Sequence, residues 1–206
     1  DLAKAITLPA LEVGAEIDPK LVSQIIADMK GSPDALPLMS FALRDLFEVE
    51  KSKKGEPMDL TLPEYVQRGG LEKALEEHAN KVFNNFTNEQ KEIAKNIFSK
   101  LIEVGQGRVD TRRTATFAEL VPAGSSATAV TTVLSHLADV RLVTTSDLAV
   151  YGQPVSIGSQ EATVTIAHEK MIDAWPWLRT LVDENRDLII LQNQINNDAK
   201  SWFEHE

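Results

Sequence analysis

A mainly α-helical fold is the expectation for this 206-residue chain. Apolar residues recur every three or four positions along most of its length, and start signals such as Asp18-Pro19 and Thr87-Asn88-Glu89-Gln90 precede those stripes. Strand-like runs are confined to Leu142–Thr145, Ala162–Ile166 and the extended stretch Arg112–Thr116. With 43% hydrophobic residues, a chain of this size can build a core without staples. It has no cysteine, which removes disulfides, thiolate zinc sites and cysteine nucleophiles and fits a reducing cytoplasm, the expected location. No apolar run approaches the ~20 residues of a membrane span, and Asp1–Pro9 lacks the basic-then-apolar layout of a signal peptide. With 31 acidic against 21 basic residues, the net charge of -10 repels nucleic acid and anionic membranes.

The first clear element begins at Asp18, a cap ahead of Pro19, and carries Leu21, Val22, Ile25, Ile26 and Met29 on one face. Gly31 ends it, and Ser32-Pro33-Asp34 restarts a helix with Leu36, Met39, Leu43, Leu46 and Phe47 as its stripe and Pro37 in its first turn. Glu50–Asp59 reads as a polar loop and Leu62–Val66 as a short helical turn. After Gly69-Gly70, Leu71, Leu75, Ala79, Val82, Phe83 and Phe86 mark a third long helix. Thr87 and Gln90 have the spacing of a capping box, opening a helix that runs through Ile93, Ile97, Leu101 and Val104 until Gly105 stops it.

Shorter elements follow: extended Arg112–Thr116, a short helix at Phe117–Val121, a helix over Ser126–Ala138, and two strands separated by a Gly- and Ser-bearing loop. Helix, strand, helix, helix, strand, long loop, strand is the order of a winged helix. From His168 to Glu206 the pattern is helical with a break at Trp175-Pro176-Trp177, and it closes on a thin stripe of Leu188, Leu191, Ile195 and Trp202. The expected organisation is a helical bundle over 1–86, a winged-helix domain with a small antiparallel hairpin over 87–168, and a helical extension over 169–206.

No catalytic constellation emerges. The phosphate-binding run G-x-x-x-x-G-K-[ST] is absent, so the chain is not expected to hydrolyse ATP alone. His168-Glu169 begins like a zinc-protease helix, but Ile172 stands where the second histidine belongs, so no metal site is expected. His78, His136 and His205 have no ligand spacing. The helix that would read DNA, Ser126–Ala138, contains no Lys or Arg, and the loop between the two strands carries Asp147 and Glu161 instead of basic residues. Phosphate contacts are therefore missing where a winged helix needs them, and no nucleic-acid partner is expected. A nucleic-acid binder and an adaptor docking through the 188–202 stripe remain the alternative functions.

Three segments carry a resemblance: Gly31-Ser32-Pro33-Asp34-Ala35-Leu36-Pro37-Leu38-Met39-Ser40-Phe41-Ala42-Leu43, then Thr111-Arg112-Arg113, then Ala167-His168-Glu169-Lys170-Met171-Ile172-Asp173-Ala174-Trp175-Pro176-Trp177-Leu178. In this order they resemble the STAND NTPases, signal-transduction ATPases common in filamentous bacteria. The likeness runs from Leu2 to about Arg186 and covers the helical and winged-helix lids that follow the nucleotide-binding core. It implies a regulatory lid module whose partners are the missing P-loop core and a C-terminal domain of WD or helical repeats. ADP or ATP, with magnesium, is then expected only together with that core.

The resemblance also implies roles. Ala35-Leu36-Pro37-Leu38 resembles a "GLPL"-type motif whose proline, here Pro37, packs near the adenine and sugar; a good first-turn proline is the simpler reading. His168 resembles the histidine that senses the β-phosphate of ADP, against the alternative of a buried histidine fastening strand to helix. The family's Met-His-Asp is Ala167-His168-Glu169 here, keeping only the histidine. From the residues themselves, Arg112 and Arg113 are a basic pair suited to a phosphate or an interdomain acidic surface, or to surface ion pairs. Trp175 and Trp177 straddle Pro176 and are expected to project on different faces, as interdomain packing or as a core anchor.

Overall fold

A computed structural model describes residues 2–29, 35–53, 58–105, 107–122, 124, 126–146 and 162–204; at 35, 37, 196, 197, 199–201, 203 and 204 it describes the backbone alone. The described residues form eleven helices and three small sheets, so the chain is mainly α. They divide into two compact units, Asp1–Asn80 and Lys81–Glu206.

The first unit opens on α1 (Leu2–Glu12), a helix the sequence reading did not assign, with Pro9 inside it. Proline removes one ladder hydrogen bond and disfavours a helix interior. Here burial of Ile6 and Ala10, one turn apart, prevails over that local signal. After β1 (Glu16–Ile17) comes α2 (Pro19–Asp28), capped as expected: the Asp18 carboxylate accepts from Lys20 N–H at 2.8 Å, with Pro19 in the first turn. The expected restart at Ser32-Pro33-Asp34 lies outside the described residues.

The next helix, α3 (Ala35–Ser52), runs further than its apolar stripe. Glu50, expected in a loop, is buried in the last turn and accepts from Lys53 Nζ at 2.5 Å, which also donates to Glu64. That pairing neutralises the polar end of α3 and lets it stay helical. Asp59 departs from the loop expectation too: β2 (Asp59–Leu60) pairs in parallel with β1, Glu16 opposite Asp59 and Ile17 opposite Leu60. Two-residue strands carry no period-2 signal, so only the pairing reveals them. Thr61 then caps α4 (Leu62–Gln67), whose Tyr65 donates to Asp28 at 2.6 Å, and Gly69-Gly70 lead into α5 (Gly70–Asn84) with positive φ at both glycines.

The second unit begins with α6 (Asn88–Lys100), where the capping box forms as read: Gln90 N–H donates to Thr87 Oγ1 at 3.2 Å and Thr87 N–H to Gln90 Oε1 at 2.9 Å. The expected continuation through Val104 does not occur. The chain leaves the helix at Leu101 because Ile102 and Glu103 are recruited as β3 (Ile102–Glu103), antiparallel to β4 (Thr111–Arg112). Gly105 is required between them, since a Cβ there would stand 2.4 Å from the Arg108 carbonyl oxygen.

Then follow β5 (Ala115–Thr116), α7 (Phe117–Leu120) and α8 (Ala127–Asp139), the last buried through Val130, Val133, Leu134 and Leu137 as its spacing predicts. β6 (Val143–Thr145) and β7 (Thr163–Ile166) pair antiparallel, and β5 joins the far side of β7 to give the order β5-β7-β6. The long loop between them, with Asp147 and Glu161, lies outside the described residues. The unit closes with α9 (Met171–Ala174), α10 (Pro176–Glu184) and α11 (Arg186–Glu204). The thin stripe on α11 is solvent-facing, with Leu188, Leu191, Ile195 and Trp202 between 52% and 60% exposed.

Candidate functional site

Pro37 stands at the third residue of α3, in the first helical turn where its missing N–H costs no hydrogen bond. Its side chain lies outside the described residues. Behind it Leu38, Met39, Ala42 and Leu46 are buried and anchor α3.

Arg112 and His168 converge at one end of β7. The strand finishes at Ile166, Ala167 N–H donates to Leu142 O at 3.1 Å, and His168 begins the turn into α9, its carbonyl accepting from Met171 N–H at 2.9 Å. His168 is only 3% exposed. Arg112 reaches across from β4, and its Nη1 lies 3.5 Å from both the Ile166 and the Ala167 carbonyl oxygens. A guanidinium is thus set against the two peptides that lead into the imidazole, a pairing that their separation of 56 positions conceals.

Arg113 turns the other way. Its Nη2 donates to Glu119 at 2.5 Å and its Nη1 to Lys100 O at 3.0 Å, with side chains 9% and 14% exposed for Arg113 and Glu119. Glu119 also accepts from Thr116 N–H at 3.2 Å, closing the capping box of α7. Lys100 Nζ donates to the Glu119 carbonyl at 2.5 Å, and its burial holds its pKa below the ordinary lysine value. The two neighbouring arginines thereby do different work: Arg113 joins the end of α6 to α7, while Arg112 faces the His168 corner.

The sequence profile of the family described as Novel STAND NTPase 1 matches residues 1–206. The chain belongs to this STAND NTPase family. No curated protein and no solved structure matches it.

In this STAND chain, Trp175 and Trp177 do not project apart. Trp175 occupies the extended position before Pro176, with φ -101 and ψ 102, so the chain turns at that residue and both rings fall on one cluster. Their centroids lie 4.6 Å apart; Trp175 meets Phe98 edge-on at 5.5 Å and Phe83 at 5.9 Å, and Trp177 meets Phe83 at 4.1 Å. Trp175 is fully buried.

The charged centre of the second unit escaped the sequence reading. Asp110, immediately before β4, has a side chain only 3% exposed. It accepts from Gly105 N–H at 3.0 Å, from Arg186 at 3.1 and 2.8 Å, and from Arg179 at 3.0 Å. Burial pushes its pKa up, but Arg186, the Gly105 N–H and Arg179 outweigh that and hold it below the ordinary aspartate value. Its arginine partners are 69 and 76 positions away, a distance no local motif signals. Elsewhere, His78 stacks on Phe41 at 4.0 Å and His136 meets Phe86 at 5.4 Å, while His205 lies outside the described residues. Among the described residues no cluster of His, Asp and Glu could hold a metal ion, and no helix is long and apolar enough to cross a membrane.

Proposed function

We propose that this chain is the regulatory lid module of a STAND-type signalling ATPase: it closes over ADP held by a separate P-loop core and relays the nucleotide state to a downstream domain. The observation that carries this reading is family membership over residues 1–206 in a sequence that contains no G-x-x-x-x-G-K-[ST] run. The run α7, α8, β6, β7, with β5 on the far edge of the sheet, supports a winged-helix identity for the middle of the second unit. Its α8 contains no Lys or Arg, which favours an intramolecular surface over a DNA-reading one.

His168 is the proposed phosphate sensor and Pro37 the proposed contact to the adenine and sugar. The donor types fit a phosphate in kind, an imidazole with a guanidinium beside its strand. With the residue 3% exposed and both ring nitrogens buried, contact with a ligand oxygen requires the β7–α9 corner to rearrange as the module closes, and a contact made only in that state biases the switch toward it. The nucleotide's magnesium and the phosphate-gripping backbone belong to the core, and the chemistry of hydrolysis with them.

The test is His168→Ala in the full-length protein. ADP dissociates faster and basal output rises if His168 contacts the nucleotide in the closed state. ADP affinity equal to that of the parent, with the fold intact, overturns the sensor assignment.

A further inference from the structure

The α10–α11 junction combines a break with a lock. Asn185 interrupts the helix at φ -116 and ψ 15, so α10 and α11 are separate rods meeting at one residue. Arg179 on α10 and Arg186 on α11 close on the same buried carboxylate, Asp110, from the two sides of that break. Asp183 accepts from Arg179 at 2.5 Å and lies 3.4 Å from Arg186, and Asp173 lies 3.4 Å from Arg179, which balances the second guanidinium charge.

A second tie runs from α11 to the same hairpin: Asn193 Nδ2 donates to the Ile102 carbonyl at 3.1 Å, and Ile102 is the β3 residue opposite Arg112 on β4. Among the described side chains of α11, Ile189 is the buried apolar one. The β3–β4 hairpin therefore holds α11 at its first residue, Arg186, through Asp110 and near its middle, at Asn193, through Ile102. On its other side Arg112 of that hairpin touches the carbonyls that lead into His168.

We propose that Asp110 is a latch: the joint grip of Arg179 and Arg186 locks the α10–α11 break and makes α11 move with the β3–β4 hairpin, so that a displacement of the β7–α9 corner passes through Arg112 to α11. The second half rests on the reading of that corner as a nucleotide sensor; the lock itself does not. Charge-assisted hydrogen bonds to one buried carboxylate suit an all-or-none device, because losing either arginine leaves the carboxylate underpaired in a poorly solvated place. The coupling is physical only if α11 has two arrangements that both sites bias.

Amide hydrogen exchange on the full-length protein tests both halves. Without nucleotide, Asp110→Asn and Arg186→Gln speed exchange in α11 by roughly tenfold while α6 and α8 keep their protection. Asp173→Asn, which removes only an exposed contact, leaves α11 unchanged. Arg186→Gln keeps Asp110 paired with Arg179, so it reports even if Asp110→Asn fails to fold. Exchange in α11 within about twofold of the parent in a folded Arg186→Gln protein overturns the latch. Added ADP changes α11 exchange in the parent and not in the folded Asp110→Asn protein, or, should only Arg186→Gln fold, not in that one; an ADP response that persists there overturns the relay through Asp110 and leaves the lock standing. A His168→Ala protein with unchanged ADP affinity removes the sensor reading, and the nucleotide-free exchange still decides the latch.

Discussion

Replacing Trp175 with alanine removes the centre of the aromatic cluster that seats α10. The indole is fully buried and meets three rings, Phe98 at 5.5 Å, Phe83 at 5.9 Å and Trp177 at 4.6 Å. A tryptophan of this kind buries about 200 Å², worth about 5 kcal/mol at 25 cal/mol per Å². Alanine retains the Cβ, and the unfolded chain already hides part of that area, so the expected loss is about 4 kcal/mol, in line with buried aromatic truncations. Against a typical total of roughly 5–15 kcal/mol, that is a large share. Urea unfolding followed by far-UV circular dichroism reads it; fluorescence would mix stability with the loss of a ring beside Trp177. Trp175→Phe, which keeps a ring in the site, is expected to lose about half as much. A loss under about 1.5 kcal/mol for Trp175→Ala at an unchanged urea slope would refute the assignment of Trp175 as the core anchor of this unit.

Two further outcomes follow from local geometry. The Asp110 pKa is held below its ordinary value, so the stability it contributes is fully present above the unfolded aspartate pKa and is lost as pH falls through the folded one; the gap in stability between the parent and Asp110→Asn is expected to be constant near neutrality and to close below about pH 4. A gap that stays the same down to pH 3 in acid titrations of unfolding would show that Asp110 is not ionised in its pairing. Arg141 joins α8 to β6 at φ 59, a left-handed conformation that costs a side-chain-bearing residue about 1 kcal/mol, and its N–H donates to the Ala138 carbonyl at 2.9 Å. Arg141→Gly keeps that bond and is expected to raise stability by about 0.5 kcal/mol after the added freedom of the unfolded chain is subtracted; a lowered melting temperature would mean that the arginine side chain holds the turn.

Much of the helical framework was legible because its signals are local. Asp18, Thr61, Thr87, Thr116 and Ser126 each cap the helix that follows them, and a cap hydrogen bond spans only two or three residues. The apolar faces of α2, α5, α6 and α8 were equally readable, since a 3.6-residue period repeats within a single window. Where expectation and structure part, a distant partner decides. α1, to which the sequence reading assigned no element, forms around Pro9 through burial of Ile6 and Ala10, and the expected run of α6 through Val104 stops where Ile102 and Glu103 pair with a strand nine residues on.

The site shows the same division. By itself the sequence determined that the chain is mainly helical, that it lacks a phosphate-gripping loop, and that His168 stands between a strand and a helix in a STAND-like motif. Residue identities, short caps and helical periods carry those facts, and all of them are local. Only the tertiary structure decided that Arg112 serves the His168 corner while Arg113 is consumed by Glu119, that Trp175 and Trp177 share one cluster, and that Asp110 gathers two arginines from 69 and 76 positions away. Ion pairs and ring contacts depend on where folded elements cross in space, and no period or spacing along the chain encodes that crossing.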